Sequence, residues 1–485
     1  MAVTTPSRGQ RVRRYLAAVG VTSLVAVTTW GLARAAGLPA ALAVGAALLA
    51  ALAVWPAPWP RPARDAPPPA PPRPARTLAL GRVARAPALA GGVTVGQPFT
   101  LSLDELAHHV SILGVTGSGK TTTLSRIMDH ALAAGWPVAV VDAKGGGLAR
   151  TARSLALRHD VPARVWLPGD EDSWTYDVCS GEPAAIANRL IGAFDHGPDA
   201  EVYRQISQAV LPLVLRALRS AGQPCDLEAV RSHLDRPRLV GLARRVPDDA
   251  LRSELLGMLD DPLHKKALAG LVGRLGALHN GAFGPWLLPS ARTLDLGQAL
   301  TTRGVTYLGL PATGASEDVA LVGRVFVQEL KQVTHTLLAA ATTSPALIVV
   351  DEFATLREAG QLVDLLLQSR EARLSLVVSS QYLPRLPALR NALLGSGVLV
   401  VHQVGSAEEA DLLARTLGTR AAVEVSQQIV GSSPGRRTHS RTLRGGLAYL
   451  APPDELQRLA IGQAVVSVRH GEQRLAVVDV TPLPS

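Results

Sequence analysis

The chain has 485 residues, of which 47% are hydrophobic and 18% are charged. This composition excludes a wholly disordered or collagen-like protein, and the length allows about two to four domains. The two cysteines, Cys179 and Cys225, lie far apart without a CxxC pair, which excludes a disulfide framework and a cysteine zinc site.

The positive charge is concentrated at the N-terminus. The net charge is +10, and residues 1–90 contain eleven arginines and one acidic residue, so the remainder of the chain is neutral. A basic chain often binds nucleic acid, but arginines beside apolar segments also set membrane topology. Charge alone therefore does not identify a nucleic-acid partner.

Two apolar segments near the N-terminus predict a membrane anchor. Tyr15–Ala33 and Leu38–Trp55 contain no charged residue, and each has about 18 residues, the lower limit for a membrane-spanning helix. We expect a hairpin of two transmembrane helices over 15–55, with a basic N-terminus at 1–14 and the remainder of the chain in the cytoplasm. The protein would then be a multi-pass protein of the cell membrane. A cleaved signal peptide is the alternative, but the second apolar segment argues against it.

A proline-rich linker follows over 56–76. Ten of the nineteen residues from Pro56 to Pro74 are proline, which excludes a helix or a central strand and favours an extended polyproline II segment. A stiff stalk and a disordered tether both remain open.

Residues 114–121 form a phosphate-binding P-loop pattern. The sequence Gly-Val-Thr-Gly-Ser-Gly-Lys-Thr follows the apolar segment Val110–Leu113 and precedes apolar residues at helical spacing. Glycines allow backbone N–H groups to surround phosphates, Lys120 is expected to reach the β- and γ-phosphates, and the Thr121 hydroxyl is expected to bind Mg²⁺. The predicted cofactors are ATP and Mg²⁺. The predicted nucleotide-binding residues are Gly114, Thr116, Gly117, Ser118, Gly119, Lys120, Thr121 and Thr122.

An acidic pair at the end of a second apolar segment completes such a site. Asp351 and Glu352 follow Ala346–Val350, whose branched residues are typical of a central parallel strand. Asp351 is predicted to hold the Mg²⁺ shell and Glu352 to act as general base for water, which indicates a hydrolase. An ordinary strand followed by a helix cap is the alternative.

A third apolar segment, Leu374–Ser380, is followed by Gln381. The amide of Gln381 could sense the γ-phosphate or simply cap a loop. Arg370 and Arg373 precede this segment and are predicted to share a face near the end of a helix that begins at about Gly360. Either could be an arginine finger for a neighbouring subunit's ATP, or a plain complement of the helix dipole.

The spacing of apolar residues divides the chain beyond the linker into a helical segment and two flanking segments. Leu, Ala and Arg recur at helical spacing over 183–288, which predicts an all-α insertion domain. The flanking segments 77–182 and 289–485 are predicted to form one ATPase domain. In its final third, Val398–Val401 and Val465–Val468 are expected to return strands to the main sheet.

These motifs resemble those of the TraG/TraD-type conjugative coupling proteins of type IV secretion, within the FtsK/HerA group of hexameric DNA motors. The resemblance runs through most of the chain beyond residue 90, and its most specific element is Phe353–Leu356 after the acidic pair. It implies an α/β fold: a RecA-like P-loop NTPase sheet with an all-α insertion, preceded by an N-terminal transmembrane helical hairpin. It also places the arginine finger at Arg370 and the sensor glutamine at Gln381. The implied catalytic residues are Lys120, Glu352, Arg370 and Gln381.

The chain departs from the family at the segment that follows Val141. Ala143 stands where the family commonly has proline before Lys144, and two glycines replace the usual acidic residue. Only a loop near the nucleotide or DNA is predicted there. The loop between the two apolar N-terminal segments is also too short to form a periplasmic domain.

A histidine pair and a basic segment are two further features of the sequence. His108 and His109 lack a spaced set of ligands and are expected to be surface or strand-edge residues rather than metal ligands. The basic segment that includes Arg436, Arg437, Arg441 and Arg444 is expected to be a solvated loop, with contact to DNA phosphates as the alternative.

The sequence therefore predicts a membrane-anchored homo-hexameric ATPase that couples DNA, with its relaxase, to the components of a type IV secretion channel. An FtsK-like double-stranded DNA translocase is one alternative, but it would carry a C-terminal winged helix, and the segment 456–480 has the pattern of strands. A secretion ATPase or receptor that acts on proteins without DNA is another. The acidic pair argues against a receptor that uses ATP only to assemble.

Overall fold

The computed structural model describes residues 77–87, 92–194, 200–311, 316–340, 344–356, 360–431 and 437–484, together with 35, 36 and 197. Apart from residues 35 and 36, the predicted basic N-terminus, transmembrane hairpin and proline-rich linker lie outside the described residues. Within the described ranges, no helix is long and apolar enough to cross a membrane. Residues 75–485 form one compact unit.

Fifteen strands are present in the described part of the chain. They are β1 (Thr77–Arg85), β2 (Pro98–Ser102), β3 (Val110–Leu113), β4 (Val138–Asp142), β5 (Ala163–Trp166), β6 (Thr175–Tyr176), β7 (Thr293–Leu294), β8 (Val305–Gly309), β9 (Ala346–Asp351), β10 (Leu374–Ser380), β11 (Val398–Val401), β12 (Thr419–Gly431), β13 (Arg437–Tyr449), β14 (Gln463–Val468) and β15 (Arg474–Val480).

Eleven of these strands form one mixed sheet in the order β2–β1–β15–β14–β11–β3–β10–β9–β4–β8–β5. The seven strands from β11 to β5 are parallel, and the four beyond β11 are antiparallel. Every residue of β3, β4, β9 and β10 is buried, as expected for parallel strands covered on both faces. Strand β10 lies between the strand before the P-loop and the strand before the acidic pair. Their carboxyl ends therefore meet at one edge of the sheet, called here the carboxyl edge.

Fifteen α-helices accompany the strands in the described ranges. They are α1 (Leu103–Ala107), α2 (Lys120–Ala133), α3 (Ala149–Arg158), α4 (Pro183–Ala193), α5 (Glu201–Ser220), α6 (Leu227–Ser232), α7 (Arg236–Ala243), α8 (Asp249–Gly257), α9 (Pro262–Asn280), α10 (Leu296–Thr301), α11 (Ser316–Ala339), α12 (Gly360–Ser369), α13 (Pro387–Leu394), α14 (Ala407–Leu417) and α15 (Pro453–Arg458).

The two faces of the sheet carry separate hydrophobic clusters. Alternate residues of β4 show this, because Val138 and Val140 pack with α2 and α3 on one face, whereas Ala139 and Val141 belong to the cluster on the other face. Helices α11 and α12 cover that second face. A sheet enclosed in this way presents only its edges and loops for function.

The segment 183–288 contains helices α4 to α9 and a 3-10 turn at Gly284–Trp286, and no strand is assigned within its described residues. Its buried residues belong to the same hydrophobic cluster as α11 and the second face of the sheet. Arg189 of α4 donates to the Val178 and Ser180 carbonyls and pairs with Glu329 of α11 over 3.4 Å. The helical segment is thus joined to the sheet through a shared core.

The basic segment near Arg441 differs from its predicted loop. Residues 437–449 form β13, which pairs antiparallel with β12 from Gly431↔Arg437 to Thr419↔Tyr449. The loop prediction was wrong for Arg437, Arg441 and Arg444, because they lie within β13 and a basic composition alone does not distinguish a loop from a strand. Arg436 lies outside the described residues. After the hairpin, β14 and β15 return to the main sheet, as the sequence predicted for the C-terminal segment.

Candidate nucleotide site

The P-loop connects the end of β3 to the start of α2 at the carboxyl edge. Two of its glycines are required by close packing as well as by backbone conformation. Gly114 has φ +155°, and a Cβ there would lie 2.6 Å from His402 Cβ. Gly119 has φ +115° and caps α2, and a Cβ there would lie 3.0 Å from Gly462 Cα. Both positions favour glycine.

The P-loop residues present donors at the N-terminus of a fourteen-residue helix. Thr116, Gly117 and Thr121 are exposed, whereas Ser118 is buried and its hydroxyl donates to the Val115 carbonyl over 2.7 Å. A helix N-terminus with exposed loop residues suits a phosphate group. The Thr122 N–H donates to the Gly119 carbonyl, so this donor is used within the first turn.

Lys120 folds back over its own loop. Its Nζ donates to the Gly114 carbonyl over 2.6 Å and to the Val115 carbonyl over 3.1 Å. Burial lowers the pKa of Lys120, and the nearby carboxylates of Glu352 and Asp351 oppose that shift. A buried ammonium held by carbonyl oxygens close to two carboxylates is a cation that a phosphate anion would stabilise further.

The acidic pair lies at the end of β9. Asp351 is buried and accepts a hydrogen bond from the Ser379 hydroxyl of β10. Burial raises the pKa of Asp351, and the negative charges of Asp142 and Glu352 add to this shift. A divalent cation bound at Asp351 would offset that repulsion, so this carboxylate suits Mg²⁺.

Glu352 has an unusual backbone conformation. Its φ is +55°, in the left-handed region that non-glycine residues seldom occupy. Its side chain is buried and receives hydrogen bonds from the Gln381 backbone N–H over 3.3 Å and from the Ser380 hydroxyl over 3.4 Å. Strained residues held in place by several contacts occur preferentially at functional sites.

Gln381 connects the acidic pair to the P-loop. Its Nε2 donates to Glu352 Oε2 over 2.8 Å, and its Oε1 accepts from the Thr116 hydroxyl over 2.7 Å. The amide thus has one bond to the predicted base and one to the loop that would hold phosphates. This position suits the predicted role of a phosphate sensor.

Arg370 lies away from this cluster. Helix α12 ends at Ser369, so Arg370 is in the turn that precedes β10, at the opposite, amino edge of the sheet. The prediction that Arg370 and Arg373 share a helical face was wrong, because the helix ends earlier and Arg373 has φ +58°. Strand β10 has seven residues and spans roughly 20 Å, which separates the exposed Arg370 from the nucleotide site of its own subunit.

The loop after β4 borders the acidic pair. Asp142 is fully buried and accepts from Lys144 N over 2.9 Å, Leu148 N over 3.1 Å and the Tyr307 hydroxyl over 2.7 Å. The Ala143 N–H donates to the Asp351 carbonyl over 3.1 Å. Burial and Asp142 raise the pKa of Tyr307. The carboxylate of Asp142 therefore fixes the loop that carries the exposed Lys144 beside the site.

Sequence reasoning missed His402 and Thr123. His402 is buried after β11, and its Nε2 lies 3.0 Å from the Thr123 hydroxyl in α2. A sequence signal for it was present, because His402 is the first polar residue after a buried apolar strand, as Gln381 is after β10. Thr123 carries no such signal.

The two adjacent histidines have different environments. His109 is buried rather than on the surface, and it has φ +68°. His108 stacks on His470 with ring centroids 3.3 Å apart and planes 18° apart, and Asp104 completes a group whose ligand atoms lie within 4.8 Å of one another. Nearly parallel stacked rings direct their in-plane lone pairs side by side, which does not suit a shared ion.

Comparison with known proteins supports this fold. The family model described as "Helicase HerA, central domain" matches residues 84–146, which include the P-loop. No curated protein sequence matches the chain.

Several solved structures share the fold. The unbound bacterial conjugative coupling protein TrwBΔN70 matches with a TM-score of 0.60 and 17% identity, over 83% of this chain and 88% of that chain. The plasmid coupling protein TrwB in complex with ADP and Mg²⁺ matches with a TM-score of 0.58 and 17% identity, over 83% and 94%. VirB4 of Thermoanaerobacter pseudethanolicus matches with a TM-score of 0.50 and 13% identity, over 83% and 97%.

The predicted resemblance to coupling proteins is thereby confirmed at the level of the fold. The described chain is an α/β protein with a large mixed sheet and a RecA-like P-loop NTPase core. The helicase-domain match and the assembled P-loop, acidic pair and glutamine identify it as a P-loop ATPase by fold and by site.

Proposed function

We propose that the protein is a membrane-anchored, ATP-driven DNA motor that couples DNA, with its relaxase, to a type IV secretion channel. The observation that carries the proposal is the hydrogen-bonded series Thr116–Gln381–Glu352 beside the P-loop. It lies on a fold shared with a protein described as a bacterial conjugative coupling protein.

The geometry suggests a separate role for each of these residues. Backbone N–H groups of the P-loop and the ammonium of Lys120 would hold the β- and γ-phosphates of ATP, and Thr121 with Asp351 would hold Mg²⁺. The bound ion would neutralise charge that develops on the phosphate oxygens. Glu352 would then accept a proton from the attacking water, in an orientation fixed by its bonds to Gln381.

The exposed position of Arg370 supports a ring of subunits. An arginine at the amino edge is distant from the P-loop of its own subunit, so it would act on a neighbour's ATP across an interface. We propose a homo-hexamer on this basis and on the resemblance stated above. The predicted N-terminal hairpin of helices would anchor the ring in the cell membrane, with the ATPase domain in the cytoplasm.

The proposal is tested by ATP hydrolysis of the full-length protein with no DNA, single-stranded DNA or double-stranded DNA. We expect DNA to stimulate turnover, and Lys120→Ala and Glu352→Gln to abolish it. A preference for double-stranded DNA would favour an FtsK-like translocase. Hydrolysis that is indifferent to both forms of DNA would contradict the DNA motor and favour a protein-secretion ATPase. The absence of hydrolysis in assembled rings would favour a receptor.

A further inference from the structure

The segment between β11 and β14 begins and ends against the P-loop. It leaves the sheet at His402, includes α14, the β12–β13 hairpin and α15, and returns to the sheet at Gln463. We call residues 402–463 the hairpin segment. Both of its ends therefore lie at the carboxyl edge, beside the predicted phosphate site.

His402 joins the two ends of this segment to helix α2. The carbonyl of Gln463 can only accept, so the 2.9 Å contact places the proton on His402 Nδ1. The other ring nitrogen, Nε2, then accepts from the Thr123 hydroxyl over 3.0 Å. Burial lowers the pKa of His402 to about 4, which keeps the ring neutral near pH 7.

The same histidine packs directly against the P-loop glycines. A Cβ on Gly114 would lie 2.6 Å from His402 Cβ, and a Cβ on Gly119 would lie 3.3 Å from His402 Cε1. The side chain therefore occupies the space beneath both ends of the loop. A shift of this ring would change the spacing of the loop's N–H groups.

Backbone hydrogen bonds reinforce this connection on both sides. The Val115 N–H donates to the Gln403 carbonyl over 2.8 Å, and the Gly462 N–H donates to the Ser118 carbonyl over 3.0 Å. In addition, the Leu383 N–H donates to Glu409 Oε1 of α14 over 2.8 Å, which ties the loop after Gln381 to the hairpin segment.

We infer that His402 is a positioning residue that couples the P-loop to both ends of the hairpin segment. The inference rests on the proposed nucleotide site and extends it. Because His402 packs against Gly114 and Gly119 and also bonds to Gln463, occupation of the loop by phosphates would also restrain residues 402–405 and 460–463. Coupling of this kind requires the free energy of nucleotide binding to depend on the His402 contacts.

The test measures ADP·Mg²⁺ affinity and amide hydrogen exchange of the full-length protein. Loss of a buried neutral hydrogen bond and its packing predicts that His402→Ala weakens ADP binding about tenfold. Thr123→Val, which removes only the hydroxyl, should weaken it by a smaller factor. His402→Gln can still donate and accept, so it should restore most of the affinity. His159→Gln is the matched control, because His159 pairs with Asp129 away from the loop.

Amide hydrogen exchange tests the coupling itself. If His402 had only a structural role, its replacement would not change the response of exchange to ADP. ADP should slow exchange at residues 402–405 and 460–463 in the wild type and in His402→Gln, but not in His402→Ala. Wild-type affinity in both His402→Ala and Thr123→Val would overturn the inference, and so would an unchanged exchange response in His402→Ala. If His402→Ala does not fold, Thr123→Val and His402→Gln decide the outcome. Wild-type ADP affinity in Lys120→Ala would instead contradict the nucleotide site itself.

Discussion

The amide of Gln381 donates from Nε2 to Glu352 Oε2 over 2.8 Å, and the same amide accepts from the Thr116 hydroxyl over 2.7 Å. Gln381 therefore contacts both the P-loop and the predicted general base through one planar group. A γ-phosphate at the loop would compete for the Thr116 hydroxyl, which would change the bonding of Gln381 and the orientation of Glu352 together. The loop after Gln381 would move with this exchange.

Replacement of Glu352 by glutamine should separate hydrolysis from binding. Glu352→Gln keeps the size of the side chain but removes the proton acceptor, so we expect hydrolysis to fall by about 10²–10⁴-fold. Nucleotide affinity should change little, because Glu352 contacts Gln381 and Ser380 rather than the P-loop backbone. Single-turnover hydrolysis and equilibrium binding measure the two effects. Glu371→Gln, an exposed acid at the amino edge, is the control, and equal losses in both variants would contradict this role.

The Gln381 bonds should affect turnover more than binding. Gln381→Leu removes both amide bonds at similar volume and leaves Glu352 less well oriented, so we expect kcat to fall roughly tenfold or more with a small change in KM. Thr116→Val removes only the hydroxyl bond and should have a smaller effect in the same direction. Steady-state kinetics of both variants measure this. A Gln381→Leu variant with wild-type kcat would exclude the orienting role.

An arginine finger makes a prediction about mixed subunits. Arg370→Ala should reduce kcat by about 10³-fold, because the cation that stabilises transferred charge is removed. If Arg370 acts on a neighbour, mixtures of Arg370→Ala with Lys120→Ala should recover activity at interfaces that combine an intact arginine with an intact P-loop. Arg373→Ala is the matched control, three residues along the same turn. Activity that does not recover at any mixing ratio would contradict the action of Arg370 on a neighbouring subunit.

Much of the site could be predicted from local sequence. Val110–Leu113, Ala346–Val350 and Leu374–Ser380 are apolar enough to be central strands, and parallel strands bring their carboxyl ends to one edge. The P-loop, the acidic pair and Gln381 were placed on this basis. The family resemblance then singled out Arg370 from Arg373.

The contacts between these residues could not be predicted in the same way. The bond from Gln381 to Glu352 depends on β10 lying between β3 and β9, and sheet order is a long-range property. His402 and Thr123 lie 279 residues apart, and the local sequence around either residue does not indicate a contact with the other. The exposed turn of Arg370 and the β12–β13 hairpin were misread, because charged residues mask the local signals of helix ends and strands.

The buried ring of His109 should make stability depend on pH. Its Nε2 hydrogen bonds to the Leu366 carbonyl over 2.9 Å, so Nε2 carries the proton and Nδ1 accepts from the Leu376 N–H over 3.1 Å. A proton on Nδ1 would point at the Leu376 N–H, so that two donors would face each other. Burial accordingly lowers the pKa of His109 from its ordinary 6.5 to about 4.

The sign of the effect follows from this lowered pKa. Between pH 6.5 and 4 the unfolded chain binds a proton at His109 that the folded chain does not, so the free energy of unfolding decreases as pH falls, by at most about 3 kcal/mol. His109→Gln can still donate and accept but does not titrate, so its free energy of unfolding should decrease less than that of the wild type over this range. Denaturant unfolding of the fragment 75–485 at pH 7, 6, 5 and 4 measures the difference, with the exposed His335→Gln as control. Parallel pH profiles for the wild type and His109→Gln would show that the ring does not titrate as its contacts require.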